Sequence, residues 1–273
     1  MDLKKYDTRP AVVPIKKIVR ENDIVNTYVF EYPLGAEPGQ FVMLWIPGVD
    51  EKPISVAYDD GKVFWLTVCK VGPGTQELFK LKKGDKVGIR GPFGTKYKFD
   101  RRDNLALVAG GYGAAPMYFV ANEAVKKGCG IDFLIGARNK DLLIYTQKVM
   151  GLNDVRLHIA TDDGSAGFEG YITQVLEDVL GEDPEINKVF TCGPEPMMKV
   201  VGDICAKAGI DCWLSIEKYM KCGFGVCGQC AVDDTGELVC KKGPVMSYDY
   251  VRKLPEFGKY YRDAQGQKHY FKS

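Results

Sequence analysis

The sequence lacks long apolar runs, has no excess of one charge and contains few histidines. No stretch approaches the roughly 18 consecutive apolar residues of a membrane-spanning helix, and the N-terminus does not resemble a signal peptide. The 37 basic and 36 acidic residues are mixed and give a net charge of +1, which gives no support for nucleic-acid binding. We therefore expect a soluble cytoplasmic protein that binds neither membranes nor nucleic acid. We assign neither histidine, His158 or His269, to catalysis.

The 273 residues include no low-complexity segment, and 45% of them are apolar, so the chain can bury a core. A chain of this length allows two or three compact domains. Changes in the sequence pattern predict three parts, at residues 1–100, 101–212 and 213–273.

Nine cysteines are present, and four of them, Cys222, Cys227, Cys230 and Cys240, fall within 19 residues. In a chain without a secretion signal, such crowding favours a metal site over disulfides. The other cysteines are scattered: Cys69, Cys129, Cys192, Cys205 and Cys212.

The crowded cysteines have the spacing Cys-x4-Cys-x2-Cys-x9-Cys. This order is that of plant-type [2Fe–2S] centres, and the glycines between the cysteines allow the backbone to curl around a cluster. A zinc site with four cysteine ligands is the alternative, although zinc sites usually show two separated Cys-x2-Cys pairs. Because a [2Fe–2S] centre carries single electrons, another group in the chain must carry two-electron chemistry.

Residues 1–100 contain about six short segments rich in β-branched and aromatic residues and bounded by Gly, Pro or Asp. Such segments predict a small antiparallel β-barrel. A short helix is expected over 74–81. We expect the strands at 11–18, 25–32, 40–45, 54–58, 63–71 and 86–90.

Residues 101–212 alternate apolar strands with helical segments, which predicts a Rossmann-like parallel sheet with helices on both faces. Gly111 and Gly113 follow one strand, and Cys192, Gly193 and Pro194 follow another. Ligands of open α/β sheets bind beyond the carboxyl ends of strands, so the two loops together predict a dinucleotide site. The first loop alone is equally typical of a tight turn, and Cys192 is either a core cysteine or a thiol beside a flat ring.

Three barrel motifs, together with the CGPEPMM loop, resemble the ferredoxin–NADP reductase superfamily. The motifs are KPISVA from Lys52, VGPGT ending at Thr75 and GPFG from Gly91. The resemblance covers residues 10–245 and implies a flavin-binding barrel that precedes a nicotinamide domain, with FAD and NAD as cofactors. Lys52 stands where many relatives have Arg. The positive charge is kept, but lysine lacks the two-pronged guanidinium that suits phosphate.

The resemblance also implies roles for single residues. Gly74 and Thr75 are expected to bind the flavin pyrophosphate, and Gly111, Gly113 and Cys192–Pro194 to line the nicotinamide site. The residues expected to line the flavin ring are Pro53, Ile54, Ser55 and Val56. The expected cluster ligands are Cys222, Cys227, Cys230 and Cys240.

The segment EKYMKCGFGVCGQC from Glu217 is similar to the C-terminal [2Fe–2S] module of dihydroorotate dehydrogenase B electron-transfer subunits. KPISVA, ATDDGS and LVCKKGPV are also similar to that family. The resemblance implies electron relay, within pyrimidine biosynthesis, between an FMN-containing catalytic subunit and NAD. Two copies of each subunit would form a heterotetramer.

Other functions stay open. The same module occurs in sulfhydrogenase gamma subunits and in small subunits of bifurcating NADH-dependent ferredoxin–NADP reductases, and a sulfite reductase complex is a further alternative. A non-catalytic redox-sensing or scaffold protein is the alternative from another class.

Few residues bear on the choice between NAD and NADP. Asp162 and Asp163 follow a strand and favour NAD, whereas Arg138 favours the 2′-phosphate of NADP. Asp-Asp-Gly is also typical of a plain turn. We expect NAD, with NADP as the alternative. The stretch 247–257 is either a docking surface or a tail packed on its own domain, and the residues after Gly258 support no prediction.

Overall fold

The computed structural model describes residues 9–271 of the chain. The first part is a closed antiparallel barrel with the strand order β1-β2-β5-β4-β3-β6. Its strands are β1 Ala11–Arg20, β2 Val25–Glu31, β3 Phe41–Ile46, β4 Asp50–Asp59, β5 Val63–Cys69 and β6 Lys86–Phe93. The predicted barrel is confirmed, and each predicted strand is present with ends that differ by a few residues.

Alternating burial explains the barrel. Every second residue of β5 is buried, because one face of the strand points into the interior. Inside, Phe30 and Phe64 stack with their ring centroids 4.9 Å apart, and Leu66 is fully buried beside them. Helix α1, Pro73–Leu78, packs Leu78 into the same core and confirms the predicted short helix.

The second part is a sheet of order β10-β9-β8-β7-β11-β12-β13, parallel except for β13. Strand β7 is buried along almost its whole length because helices cover both faces of the sheet. The strands are β7 Asn104–Gly110, β8 Gly130–Ala137, β9 Val155–Thr161, β10 Phe168–Glu169, β11 Lys188–Cys192, β12 Asp211–Ser215 and β13 Val245–Ser247. The helices are α2 Ala114–Lys127, α3 Thr146–Met150, α4 Ile172–Glu182 and α5 Glu195–Ala208. The predicted Rossmann-like fold is confirmed.

Two details of the second part were not predicted. Tyr145 has a left-handed φ of 67° and separates a 3₁₀ turn, Lys140–Leu142, from α3. Strand β12 lies across the expected division between residues 212 and 213. The sheet then continues into the third part through β13, which is antiparallel to β12.

The third part has little regular structure. A bridge between Ala231 and Leu238 closes a loop before α6, Val239–Lys242. The later elements are α7 Tyr248–Val251 and a hairpin of β14 Tyr260–Arg262 and β15 Lys268–Tyr270. The Tyr248 side chain is buried, and its hydroxyl donates to the Asp203 carboxylate of α5. The stretch 247–257 therefore packs against the second part of the same chain. In the described part of the chain, no helix is both long and apolar enough to cross a bilayer.

One hydrophobic core joins the three parts. Phe41 and Met43 of the barrel, Leu214 of β12, and Cys230 and Cys240 all belong to it, and all are buried. The cysteine-rich segment thus shares the core of its neighbours, as expected for a piece too short to form its own.

Candidate cofactor cleft and cluster site

The four crowded cysteines come together as two pairs. Cys222 lies beside Cys227, and its sulfur accepts the backbone N–H groups of Val226 at 3.3 Å and Cys227 at 3.5 Å. Burial by itself would raise the pKa of Cys222, but these donors outweigh burial and lower the pKa to about 6. Cys222 therefore readily becomes a thiolate, the form that binds metals.

Cys230 and Cys240 form the second pair, and both are buried. The N–H of Cys240 donates to the sulfur of Cys230 at 3.4 Å. Burial, followed by the contact with Cys230, raises the pKa of Cys240 to about 12. Binding of a metal centre is what would deprotonate Cys240.

The paired arrangement fits a two-iron centre better than a zinc ion. Within residues 9–271, no three His, Cys, Asp or Glu side chains are grouped so that they could hold one metal ion. Tetrahedral zinc needs four ligands around one point, whereas the four thiolates of a [2Fe–2S] cluster are shared between two irons. The pairs Cys222 with Cys227 and Cys230 with Cys240 match two ligands for each of two irons.

Gly223 and Gly225 allow the cysteine loop to pack closely. Both have left-handed φ values, 82° and 91°, which favour glycine. A Cβ on Gly223 would lie 2.8 Å from Met43 of the barrel, and one on Gly225 would lie 2.7 Å from Lys241. Larger residues would push the loop away from the barrel.

The strand expected to bind flavin, β4, presents two different faces. Val56 is fully buried in the barrel core, and Ile54 packs against that core. The side chain of Val56 is therefore directed away from a ligand outside the barrel, and its backbone remains for contact. Pro53 lies opposite Met43 of β3, which belongs to the core shared with the cysteines, and Ser55 lies on the same face as Pro53.

Lys52 and the start of α1 are neighbours. A Cβ on Gly74 would lie 3.7 Å from Cε of Lys52 and 3.4 Å from Cβ of Asp50. The Lys52 ammonium is 2.7 Å from an Asp50 carboxylate oxygen. Thr75 is buried, and its hydroxyl oxygen accepts the N–H of Gly72 at 3.0 Å. The residues expected at the pyrophosphate are thus close together.

The two glycine loops expected to bind the dinucleotide meet at the ends of β7 and β11, which are adjacent strands. A Cβ on Gly113 would lie 2.1 Å from the carbonyl oxygen of Cys192, and one on Gly193 would lie 2.9 Å from Gly110. A Cβ on Gly110 would lie 2.7 Å from Pro194. Only glycines permit this approach of the two backbones.

Two residues beside these loops, Tyr112 and Glu217, were not predicted as site residues. Tyr112 is 45% exposed, yet the Glu217 carboxylate, followed by burial, raises its pKa. Burial, followed by Glu217, raises the pKa of Cys192 to about 12, although a hydrogen bond with Ser215 opposes the shift. The surrounding protein also raises the pKa of Glu217. Because the Glu217 carboxylate acts on both Tyr112 and Cys192, the three side chains lie close together beside the two loops.

Gly111 precedes Tyr112, and a Cβ added to Gly111 would have no atom within 4 Å. Tyr112 lies inside the first glycine loop, and Glu217 stands between the last parallel strand and the cysteine cluster. These sequence positions are the only signal for the two residues, because the fold brings distant segments of the chain together.

The Asp-Asp-Gly segment after β9 forms a turn. The Asp163 carboxylate accepts the N–H of Ser165 at 3.0 Å and its hydroxyl at 2.5 Å. The N–H of Asp162 donates to the carbonyl of Ala137 at 3.1 Å, which places the turn beside the end of β8. Asp163 therefore has a structural role, and Asp162 is the better candidate for contact with a nucleotide.

Two family models match the chain. Residues 107–203 match the oxidoreductase NAD-binding domain, and residues 217–252 match the iron–sulfur cluster binding domain of dihydroorotate dehydrogenase B. The expected iron–sulfur and NAD cofactors are thereby confirmed.

Two similar proteins match almost end to end. A protein of Methanocaldococcus jannaschii is 43% identical over 263 residues, which cover 96% of this chain and 99% of that protein. A protein of Methanothermobacter thermautotrophicus is 41% identical over 263 residues, with coverage of 95% and 97%. Both are named as the probable electron transfer subunit of dihydroorotate dehydrogenase B (NAD(+)).

Solved structures share the fold. An NADH-dependent reduced ferredoxin–NADP oxidoreductase, studied for flavin-based electron bifurcation, superposes with a TM-score of 0.78 at 30% identity, over 88% of this chain and 89% of that one. The Amycolatopsis cytochrome P450 reductase GcoB, at 21% identity and a TM-score of 0.63, covers 72% of this chain and 67% of its own, and it supports the fold alone. The chain is 43% and 41% identical to the two proteins described above over almost its whole length. It therefore belongs to the family of dihydroorotate dehydrogenase B electron-transfer subunits.

Proposed function

We propose that the chain relays electrons between an FMN-containing dihydroorotate dehydrogenase catalytic subunit and NAD, by means of a [2Fe–2S] cluster and FAD, within pyrimidine biosynthesis. The packing of the cysteine loop onto the barrel carries this proposal. Gly223 follows the cluster ligand Cys222 and lies against Met43, and Met43 lies opposite Pro53 of the proposed flavin strand. Two redox groups bound at these places would be neighbours, as a relay requires.

FAD would be held by β4 and the start of α1. The Lys52 ammonium supplies positive charge for the pyrophosphate, and Gly74 leaves room for close approach next to Thr75. Bound FAD supplies the link between two-electron hydride exchange and one-electron transfer. The residues proposed to line its ring are Pro53, Ile54, Ser55 and Val56, the last through its backbone.

The nicotinamide end of NAD would lie on the surface that Gly111–Gly113 and Cys192–Pro194 form together. Gly111 has open space at its Cβ position for a flat ring, and burial keeps the Cys192 thiol neutral nearby. We place NAD rather than NADP at this site, with Asp162 as the acidic partner of the ribose. The part of the protein in catalysis is to align donor and acceptor, which needs no histidine.

The catalytic partner would approach the cluster from its exposed side. Cys227 is exposed, and Val226 beside it is 76% exposed, whereas Cys230 and Cys240 are buried. One proposed ligand therefore faces outward and its neighbour Cys222 is half-buried, which suits exchange of single electrons with another protein. We propose a heterotetramer with two copies of each subunit in the cytoplasm.

A second candidate is the small subunit of a bifurcating NADH-dependent ferredoxin–NADP oxidoreductase. The structural match to such an enzyme, with a TM-score of 0.78, favours it. The two candidates share cofactors and differ in the partner subunit.

Co-expression with the FMN-containing catalytic subunit of the same organism tests the proposal. We expect a stable complex that reduces NAD⁺ with dihydroorotate under anaerobic conditions, while the catalytic subunit alone does not. A chain that forms no such complex, and instead supports reduction of ferredoxin by NADPH with a different partner, would establish the second candidate.

A further inference from the structure

Arg90, on β6, joins the proposed flavin strand to the cysteine loop. Its guanidinium donates to both carboxylate oxygens of Glu51, at 2.7 and 2.6 Å. It also donates to the carbonyl oxygen of Cys222 at 3.0 Å and to that of Lys221 at 3.2 Å. The Arg90 side chain is only 10% exposed, so these contacts are largely shielded from water.

The position of Arg90 in the sheet explains this bridging role. Met43 of β3 lies opposite Arg90 on one side and opposite Pro53 of β4 on the other. Glu51 precedes Lys52 on β4, at the start of the proposed flavin strand. The ion pair therefore spans from the flavin strand to the backbone of the first cluster ligand.

Aromatic contacts fix the same loop. The Arg90 guanidinium lies 5.7 Å from the centre of the Phe224 ring, which is within range of a cation–π contact. The Phe224 ring is also 6.2 Å from the ring of Phe93 on β6. The segment 221–224 is thus held to the barrel by hydrogen bonds and by ring packing together.

Only a guanidinium can make this set of contacts. Its planar fork binds a carboxylate with two N–H groups and leaves other N–H groups for the two carbonyls. A lysine in its place keeps the charge but offers a single point donor.

We propose that Arg90 is a positioning residue for electron transfer, which holds the Cys222 loop against the flavin strand, and that Glu51 balances its charge beside the cluster. The inference rests on the proposed function, because it needs a bound cluster. Reduction adds negative charge to a cluster, so an unbalanced cation nearby raises its potential and an unbalanced anion lowers it.

Three variants of the full chain separate the two roles of Arg90. Arg90→Met leaves the Glu51 carboxylate unbalanced and should lower the cluster potential, whereas Glu51→Gln leaves Arg90 unbalanced and should raise it. Arg90→Lys should keep the potential near that of the wild type but release iron to a chelator about tenfold faster, since hydrogen bonds to a charged donor are lost. Potentials are measured by redox titration monitored by electron paramagnetic resonance.

The matched controls are Lys16→Met and Glu31→Gln, which break an exposed ion pair of 2.8 Å between β1 and β2. We expect neither to change the potential or the iron-release rate. If Arg90→Met does not retain its cluster, an upward shift in Glu51→Gln with no shift in Arg90→Lys still supports the inference.

Shifts of the same sign in Arg90→Met and Glu51→Gln, or no shift in Glu51→Gln, would overturn the inference, as would wild-type iron release in Arg90→Lys. A wild-type chain that binds no iron would instead remove the proposed function itself. The iron content of the wild type therefore distinguishes the two failures.

Discussion

The backbone of Gly113 lies directly against the carbonyl of Cys192, so that a Cβ on Gly113 would be 2.1 Å from that oxygen. The two residues stand at the ends of neighbouring strands, β7 and β11, and belong to loops that are distant in sequence. Their contact builds one continuous surface at the carboxyl edge of the sheet, where ligands of this fold bind.

Gly113→Ala is expected to force these loops apart. Overpacking of this kind costs about 1–3 kcal/mol, and here it should also raise the KM for NADH in flavin reduction. Gly128→Ala is the control, because Gly128 has a φ of 77° but nothing within 4 Å of its Cβ position. It should lower stability by about 1 kcal/mol and leave the KM unchanged. An unchanged KM in Gly113→Ala would contradict the proposed nicotinamide site.

Glu195 should make stability depend on pH. Burial raises the pKa of Glu195 from 4.5 to about 7, although the N–H of Gly258 opposes this by donating to its carboxylate at 2.6 Å. The folded protein thus holds a proton that the unfolded chain releases near pH 4.5. Stability should fall as pH rises from about 4.5 to 7 and then level off, by up to roughly 3 kcal/mol.

Thermal unfolding of wild type and Glu195→Gln at pH 5 and pH 8 measures this effect. The glutamine side chain can still accept the N–H of Gly258 but cannot ionise. The stability of Glu195→Gln relative to the wild type should therefore increase as pH rises. Glu31→Gln on the barrel surface should show no such growth. If the stabilities of wild type and Glu195→Gln change with pH in the same way, the pKa of Glu195 is not raised in the folded protein.

The C-terminal hairpin should slow loss of the cluster. Asp233 lies between the proposed ligands Cys230 and Cys240 in the sequence, and its carboxylate accepts the Nε–H of Arg262 at 2.9 Å and the hydroxyl of Tyr260 at 2.7 Å. Asp233→Ala should free the loop and speed iron release to a chelator roughly two- to fivefold, the scale of a partly exposed ion pair.

Asp249→Ala is the control for the hairpin. It removes another acidic residue, on α7, whose carboxylate lies 3.2 Å from the guanidinium of Arg252 just after the helix. Its iron release should match the wild type, and equal rates in Asp233→Ala would show that the hairpin has no part in holding the cluster.

Substitution should distinguish the proposed cluster cysteines from the buried cysteines outside the cluster. Serine at Cys222 or Cys227 should reduce iron from about two per chain to a small fraction, because four thiolates are needed. Cys205→Ser, in the same large core but outside the cluster, should retain its iron. Iron analysis and the visible spectrum report the result, and full iron content in Cys222→Ser would contradict the ligand assignment.

Local patterns predicted much of this protein. The barrel strands were recognisable as short segments rich in β-branched and aromatic residues, and the cysteine spacing indicated a [2Fe–2S] centre. The short strand β12, with the sequence DCWLS, carries no distinct periodicity, and it forms because β11 and β13 flank it. The tail escaped prediction for a related reason, since its hairpin is anchored by Asp233, a residue far along the chain from its strands.

The candidate site shows the same limit. Gly113 and Cys192 were recognisable from loops at strand ends, whereas Tyr112 and Glu217 acquire their raised pKa values only when the fold brings them together. Arg90 belongs to no sequence motif, because the contact that singles it out is with the carbonyl oxygen of a residue 132 positions later. Contacts between segments that are distant in the chain leave no local pattern in the sequence.

Anaerobic titration of the purified chain with NADH tests the electron-relay account most directly. The account predicts bound flavin near one equivalent, about two irons per chain, bleaching of the flavin bands by NADH and the paramagnetic signal of a reduced [2Fe–2S] centre. A chain that contains zinc in place of iron, and that shows no flavin bands and no response to NADH, would contradict it.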